Sequence, residues 1–238
     1  MFKTRVALLG ALALLITSGI ATSVASAAGP YWRVNGSRLE KGSKFINVAG
    51  GATELKATVL GLSVTISCAE AEVENARLTG NGTSQGQDSA KTIAFEKCKV
   101  TSPKQCATAK TITTVEVTSH LVIFTNAAKE EKIGDLFEPA TGTEFVTITL
   151  ENKGEEKCPF AETPFPVKGS AVAEVTPEGT EATSGELAFP KAPIVEVKKE
   201  GGAAEAAGLE IGSGNKASFS GKFTTNVLPG EKFGAFKT

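Results

Sequence analysis

The feature that most constrains this chain is a two-residue hydrophobic period that recurs along its length. Leu62, Val64, Ile66 and Cys68 share one face of an extended segment, and Ser63, Thr65 and Ser67 take the other. Val146, Ile148 and Leu150 alternate with Thr147 and Thr149; Ala217, Phe219, Gly221 and Phe223 alternate with Ser218, Ser220 and Lys222. Val115, Val117, Leu121 and Ile123 fall on one face of a strand expected over about 112–124. Side chains alternate across a strand, so this period describes strands with one apolar face, not helices. Turn-forming pairs separate the runs: Asn35-Gly36, Gly50-Gly51, Asn81-Gly82, Thr141-Gly142 and Pro229-Gly230. Short Thr- and Val-rich strands at this spacing predict an all-β fold, an antiparallel β-sandwich or barrel-like single domain with little helix. The helix candidates are two short segments, 127–133 and 202–208. From Thr176 onward the chain is richer in Glu, Gly and Ala, which suggests that 176–238 forms an appended sheet or flap on a domain spanning 28–238.

Residues 1–27 have a different organisation. Lys3 and Arg5 precede an apolar run from Val6 to Ala21, and Ala25-Ser26-Ala27 supplies a small-x-small cleavage pattern. This is the layout of a secretory signal peptide, and cleavage after Ala27 or Ala28 is expected. No other stretch has the length of a membrane span, so the mature chain is expected to be secreted, extracellular or held at the cell surface. Loss of Lys3 and Arg5 moves the formal charge from −1 to −3. With no basic run either, nucleic acid is not an expected partner.

An exported chain with four cysteines reads as a disulfide protein. The spacing C-x29-C-x7-C-x51-C contains no CxxC pair, and His120 is the only histidine, so neither a zinc site nor a thioredoxin-like switch is expected. Three pairings are open. The expected one joins Cys98 to Cys106 around the Ser102-Pro103 turn and Cys68 to Cys158 across the core.

Several of these segments occur in a recognisable order: YWRVNGSRLEKG (31–42), VTISC (64–68), IAFEKC (93–98), PKQC (103–106) and PVKGSAVAEV (166–175). In this the chain resembles a large group of secreted actinobacterial proteins of unknown function. The resemblance implies export, an all-β fold and paired cysteines. It implies no activity and no catalytic residue.

The residues themselves offer little catalytic chemistry. A Ser-His-Asp hydrolase would have to combine His120 with Asp88 or Asp135, the only two Asp in the chain, and no GxSxG motif is present. His120 is expected on a solvated strand face. Glu70, Glu72 and Glu74 alternate and could project from one strand side, either as glycosidase carboxylates or as a solvated acidic edge; the edge is the expected reading. Tyr31 and Trp32, the only Tyr and Trp, could form a ligand platform, although packing of Trp32 against the domain is expected first. No catalytic residue, metal site or cofactor is therefore assigned. The expected function is that of a non-enzymatic cell-envelope or extracellular structural or interaction protein, its partner an unidentified envelope or extracellular polymer. A carbohydrate- or matrix-binding module at Tyr31-Trp32 is the alternative, and a hydrolase the third reading.

Overall fold

The computed structural model describes residues 29–81, 85–192, 194–198 and 204–237. The segment read as a signal peptide lies outside the described residues. The fold is all-β, with no helix among the described residues. In chain order the strands are β1 (Tyr31–Val34), β2 (Ser37–Arg38), β3 (Lys41–Val59), β4 (Leu62–Cys68), β5 (Glu70–Glu74), β6 (Arg77–Asn81) and β7 (Gln87–Ala90). They continue with β8 (Thr92–Glu96), β9 (Lys99–Ser102), β10 (Cys106–Thr108), β11 (Ile112–Thr113), β12 (Val117–Thr125), β13 (Glu131–Pro139) and β14 (Glu144–Asn152). The last seven are β15 (Pro164–Gly169), β16 (Ala171–Thr176), β17 (Ser184–Phe189), β18 (Ile194–Lys198), β19 (Ala204–Ile211), β20 (Asn215–Val227) and β21 (Phe233–Phe236).

Eight of these strands close on themselves. Antiparallel pairing runs β3–β6–β7–β12–β13–β16–β17–β20 and returns from β20 to β3, giving a barrel without a free edge. β3 is 19 residues long, about 60 Å at strand rise, far more than one barrel wall needs. Its first residues, Lys41–Phe45, pair with β6 in the barrel, while Thr53–Val59 pair with β4 outside it. β20 behaves in the same way, pairing with β17 through one half and with β19 through the other. These two long strands carry a second lobe of β4, β9, β10, β14, β15 and β19, whose interior is filled by Val64, Ile66, Ile148, Leu150, Phe165 and Ile211.

Outside the barrel, β18 and β19 lie over β12, β13 and β16, burying Val122, Phe124, Leu136 and Val172 against Val197 and Ala207. β12 and β13 are thus covered on both faces. This is why Leu121 and Val122 are both fully buried although they point in opposite directions. A separate three-stranded sheet, β2–β1–β21, stoppers one region of the barrel with Trp32, Val34, Phe233 and Ala235 packed on Leu78, Leu121, Ile133 and Val175. Gly86 is required by this stopper: a Cβ there would stand 2.8 Å from both Trp32 Cδ1 and Leu121 Cδ1.

Three sequence expectations are corrected. Residues 176–238 are not an appended flap, because β17 and β20 are barrel staves and β21 belongs to the stopper. Neither helix candidate is helical. In the first, Asn126 Oδ1 accepts hydrogen bonds from the N–H groups of Ala128 and Glu130, which closes a turn and delivers Glu131–Ile133 into β13. In the second, residues from Ala204 onward form β19, with Ala207 opposite Val195; cross-strand pairing overrides the alanines' helix propensity. Positions 202 and 203 lie outside the described residues.

The disulfides join Cys68 to Cys98 and Cys106 to Cys158, so the expected 98–106 and 68–158 pairing is wrong. Strand register explains it. β4 and β9 place Ile66 opposite Val100 and Ser67 opposite Lys99, so the next pair in the ladder is Cys68 and Cys98. The Cys98 N–H donates to the Lys110 carbonyl, which puts Lys110, not Cys106, across from Cys98. Cys106 instead lies opposite Asn152 of β14, and the Asn152 Oδ1 accepts from the Cys158 N–H at 2.8 Å, folding Cys158 back beside it.

Candidate functional site: an apolar cavity with a buried acid pair

The closed ring leaves unfilled space. A cavity of about 140 Å³ lies in the barrel interior and continues toward the second lobe, lined by Val117, Asp135, Leu187 and Phe223 of the staves and by Ile66, Ile148 and Leu209 of the lobe. Its lining is almost wholly apolar and includes Ile46, Val48, Leu55, Ile93, Val117, Leu187 and Leu209, with Phe95, Phe137, Phe189, Phe219 and Phe223. The phenylalanines form a connected wall. Ring centroids lie 5.4 Å apart for Phe137–Phe189, 5.0 Å for Phe189–Phe219, 5.6 Å for Phe189–Phe223 and 5.6 Å for Phe95–Phe219, in tilted or edge-on arrangements. Gly50 lets this wall close, since a Cβ at that position would sit 2.6 Å from Phe223 Cε1.

The polar lining converges on three neighbouring strands. Ser119 of β12 stands opposite Asp88 of β7, and Asp135 of β13 stands opposite Leu121, one inward position along from Ser119. Ser119 Oγ donates to Asp135 Oδ2 at 3.2 Å. Asp135 is 1% exposed, and Oδ1 of each carboxyl has no hydrogen-bond partner among the described residues. Burial pushes Asp135 up to about 7, against the pull of hydrogen bonds from Ser119 and Asp88. Burial also raises Asp88 well above the ordinary carboxylate range, and the charge of Asp135 adds to the rise. Two like carboxyls this close in an apolar interior do not both ionise near neutrality, so the pair holds protons that the same groups lose in water. Asp88 and Asp135 are the only ionisable groups in the cavity lining among the described residues.

The other candidate residues lie elsewhere. Trp32 is 2% exposed and packed on Phe233, so it offers no open face to a ligand. Tyr31 is stacked on Phe236 and covered by the Arg38 guanidinium 4.3 Å from its ring centre. His120 points away from the cavity, its Nδ1 4.0 Å from Glu138 Oε2, so no Ser-His-Asp constellation assembles around Ser119 and Asp135. Glu70 and Glu74 form outward ion pairs with Lys97 and Lys91, and Glu72 between them is exposed. All four cysteines are held in the two disulfides, which leaves no free thiol.

Sequence reasoning weighed Asp88 and Asp135 only as partners of His120 and missed them as a pair. A signal was available for one of them: Asp135 shares its strand face with Ile133 and Phe137, an inward register for a carboxylate. What brings it to Asp88 is the β7–β12–β13 pairing, which no local pattern specifies.

Comparison with protein-family models, with curated proteins and with solved structures finds no match to the chain.

Proposed function

We propose that the protein is an exported, non-catalytic binding protein of the extracellular space or cell envelope, and that its site is the barrel interior, which takes a small apolar molecule. The observation that carries this reading is the cavity itself: about 140 Å³ of apolar-lined space inside a closed barrel whose second lobe is stapled by two disulfides. Well-packed interiors leave few voids larger than a water molecule. An apolar cavity of roughly 150 Å³ stays dry and accepts benzene. Export is supported by the signal-peptide layout of residues 1–27 and by the two disulfides. No helix among the described residues is long and apolar enough to cross a membrane. The outward direction of His120 and the absence of a free thiol support the non-catalytic part of the reading. The carbohydrate alternative loses its platform, because Trp32 is in the core and Tyr31 is covered.

The test is calorimetric titration of the mature, oxidised protein with toluene, beside a cavity-filling variant. Ala90 lines the cavity and is 7% exposed, so Ala90→Leu adds carbon atoms into the void. Toluene should bind the wild type and lose at least about tenfold in affinity in A90L. Equal affinity for both proteins, or no binding to the wild type, would refute the assignment of the site.

A further inference from the structure

We infer that the Asp88–Asp135 pair makes this cavity a receptor for a small hydrophobic amine, with the amine on the acid pair and the apolar body against the phenylalanine wall. The inference rests on the reading of the cavity as a binding site and specifies what that site takes.

Asp135 Oδ2 is occupied by the Ser119 hydroxyl, while Oδ1 of Asp135 and Oδ1 of Asp88 are buried and have no partner among the described residues. A carboxyl oxygen that carries no proton can only accept. A buried polar atom without a partner costs about 1–3 kcal/mol, so the site is most stable with a donor present. The Ser119 hydroxyl has given its one proton to Asp135 Oδ2 and cannot also serve either Oδ1, so an occupant can supply the donor. A primary or secondary ammonium brings two or more N–H groups from one atom, which suits two adjacent acceptors.

Charge selects in the same direction. An ammonium can take the place of a proton that the pair holds and balance the carboxylate charge so formed, with no other ionisable group among the described residues of the lining, whereas a carboxylate or phosphate ligand would add a like charge to it. The wall supplies the rest. Phe137 stands opposite Ser119 in the β12–β13 register, so its ring is beside the acid pair, and Phe189 and Phe219 continue from it. Aromatic faces attract a cation and pack against an apolar body. The space available, about 140 Å³, fits a single substituted ring or a short alkyl chain.

The probes are benzylamine, with toluene and benzyl alcohol as neutral counterparts and benzoate as the anion, titrated into the mature, oxidised protein at pH 7. Benzylamine should bind roughly tenfold or more tightly than toluene or benzyl alcohol, and benzoate should bind more weakly than all three. In the D88N/D135N variant, benzylamine should lose its advantage over toluene. Wild-type protein gives a second readout that needs no variant. Between pH 7 and pH 5 the acid pair takes up protons, so the affinity for benzylamine should fall while that for toluene stays constant. Benzylamine binding no tighter than toluene, or keeping its full affinity in D88N/D135N, overturns the amine assignment and leaves the apolar site intact. Failure of every probe to bind overturns both readings.

Discussion

Burial of Asp88 and Asp135 makes folding stability depend on pH in a direction opposite to that of most surface carboxylates. Asp135 titrates at about 7 in the folded chain against 3.8 for an ordinary Asp, because desolvation disfavours its charged form. A carboxyl whose pKa is raised by folding contributes stability that is fully present below the unfolded pKa and is lost as pH rises through the folded one. The window for Asp135 therefore runs from about pH 4 to about pH 7, and Asp88, raised by the same burial, adds a loss in the same direction. At about 1.4 kcal/mol per pH unit, the rise from 3.8 to about 7 corresponds to about 4 kcal/mol for Asp135 alone. That is a large share of the roughly 5–15 kcal/mol that holds a domain folded. Among the described residues the lining adds no other ionisable group, and His120 faces Glu138 on the outside of β12. The comparison of wild type with D88N/D135N isolates the pair, since His120 and the surface carboxylates are common to both. Guanidinium unfolding of the oxidised proteins at pH 5, 6, 7 and 8 should show the wild type losing several kcal/mol across the series relative to the variant. Parallel pH profiles for the two proteins would refute the reasoning, because they would mean that the two carboxyls titrate alike in the folded and unfolded chains.

Other outcomes follow from the same structure. Non-reducing peptide mapping should recover 68–98 and 106–158 linked peptides, and recovery of 98–106 would contradict the β4–β9 register. Loop-closure entropy gives a ceiling of about 3.6 kcal/mol for the first bond and about 4.1 kcal/mol for the second, so Cys106→Ala should lower the melting temperature at least as far as Cys68→Ala. Trp32→Ala should cost about 3–5 kcal/mol in chemical denaturation, as expected for a ring 2% exposed at the centre of the stopper; a loss under 1 kcal/mol would show that β1 is not anchored there. N-terminal sequencing of secreted material should begin at Ala28 or Gly29, and recovery of Met1 would exclude cleavage.

The β-rich character of the chain was legible because side-chain period is a local property. Leu62–Cys68, Val146–Leu150 and Ala217–Phe223 are all strand segments as read. Closure into a barrel was not legible, because it depends on which strands meet. β3 reaches β20 and β7 reaches β12 across long stretches of sequence, and the alternation of Phe219 and Phe223 says nothing about the strand beside them. The cysteines show the same division. The face of Cys68 could be read from its strand, while its partner was fixed by a ladder between β4 and β9. Val115 marks a local limit as well: the single strand expected over 112–124 breaks between Thr113 and Val117, and Val115 is left 44% exposed. The acid pair was hidden for both reasons. Asp135 carried an inward register, but only the fold brings Asp88 to it.

The central claim is that a small apolar molecule enters the barrel interior, and intermolecular NOEs between toluene and methyl groups of the mature, oxidised protein test it most directly. Contacts are expected to Ile93, Val117 and Leu187, which line the cavity. Contacts confined to Leu60 and Leu62, the exposed leucines of the β3–β4 hairpin, or no contacts at saturating toluene, would contradict it.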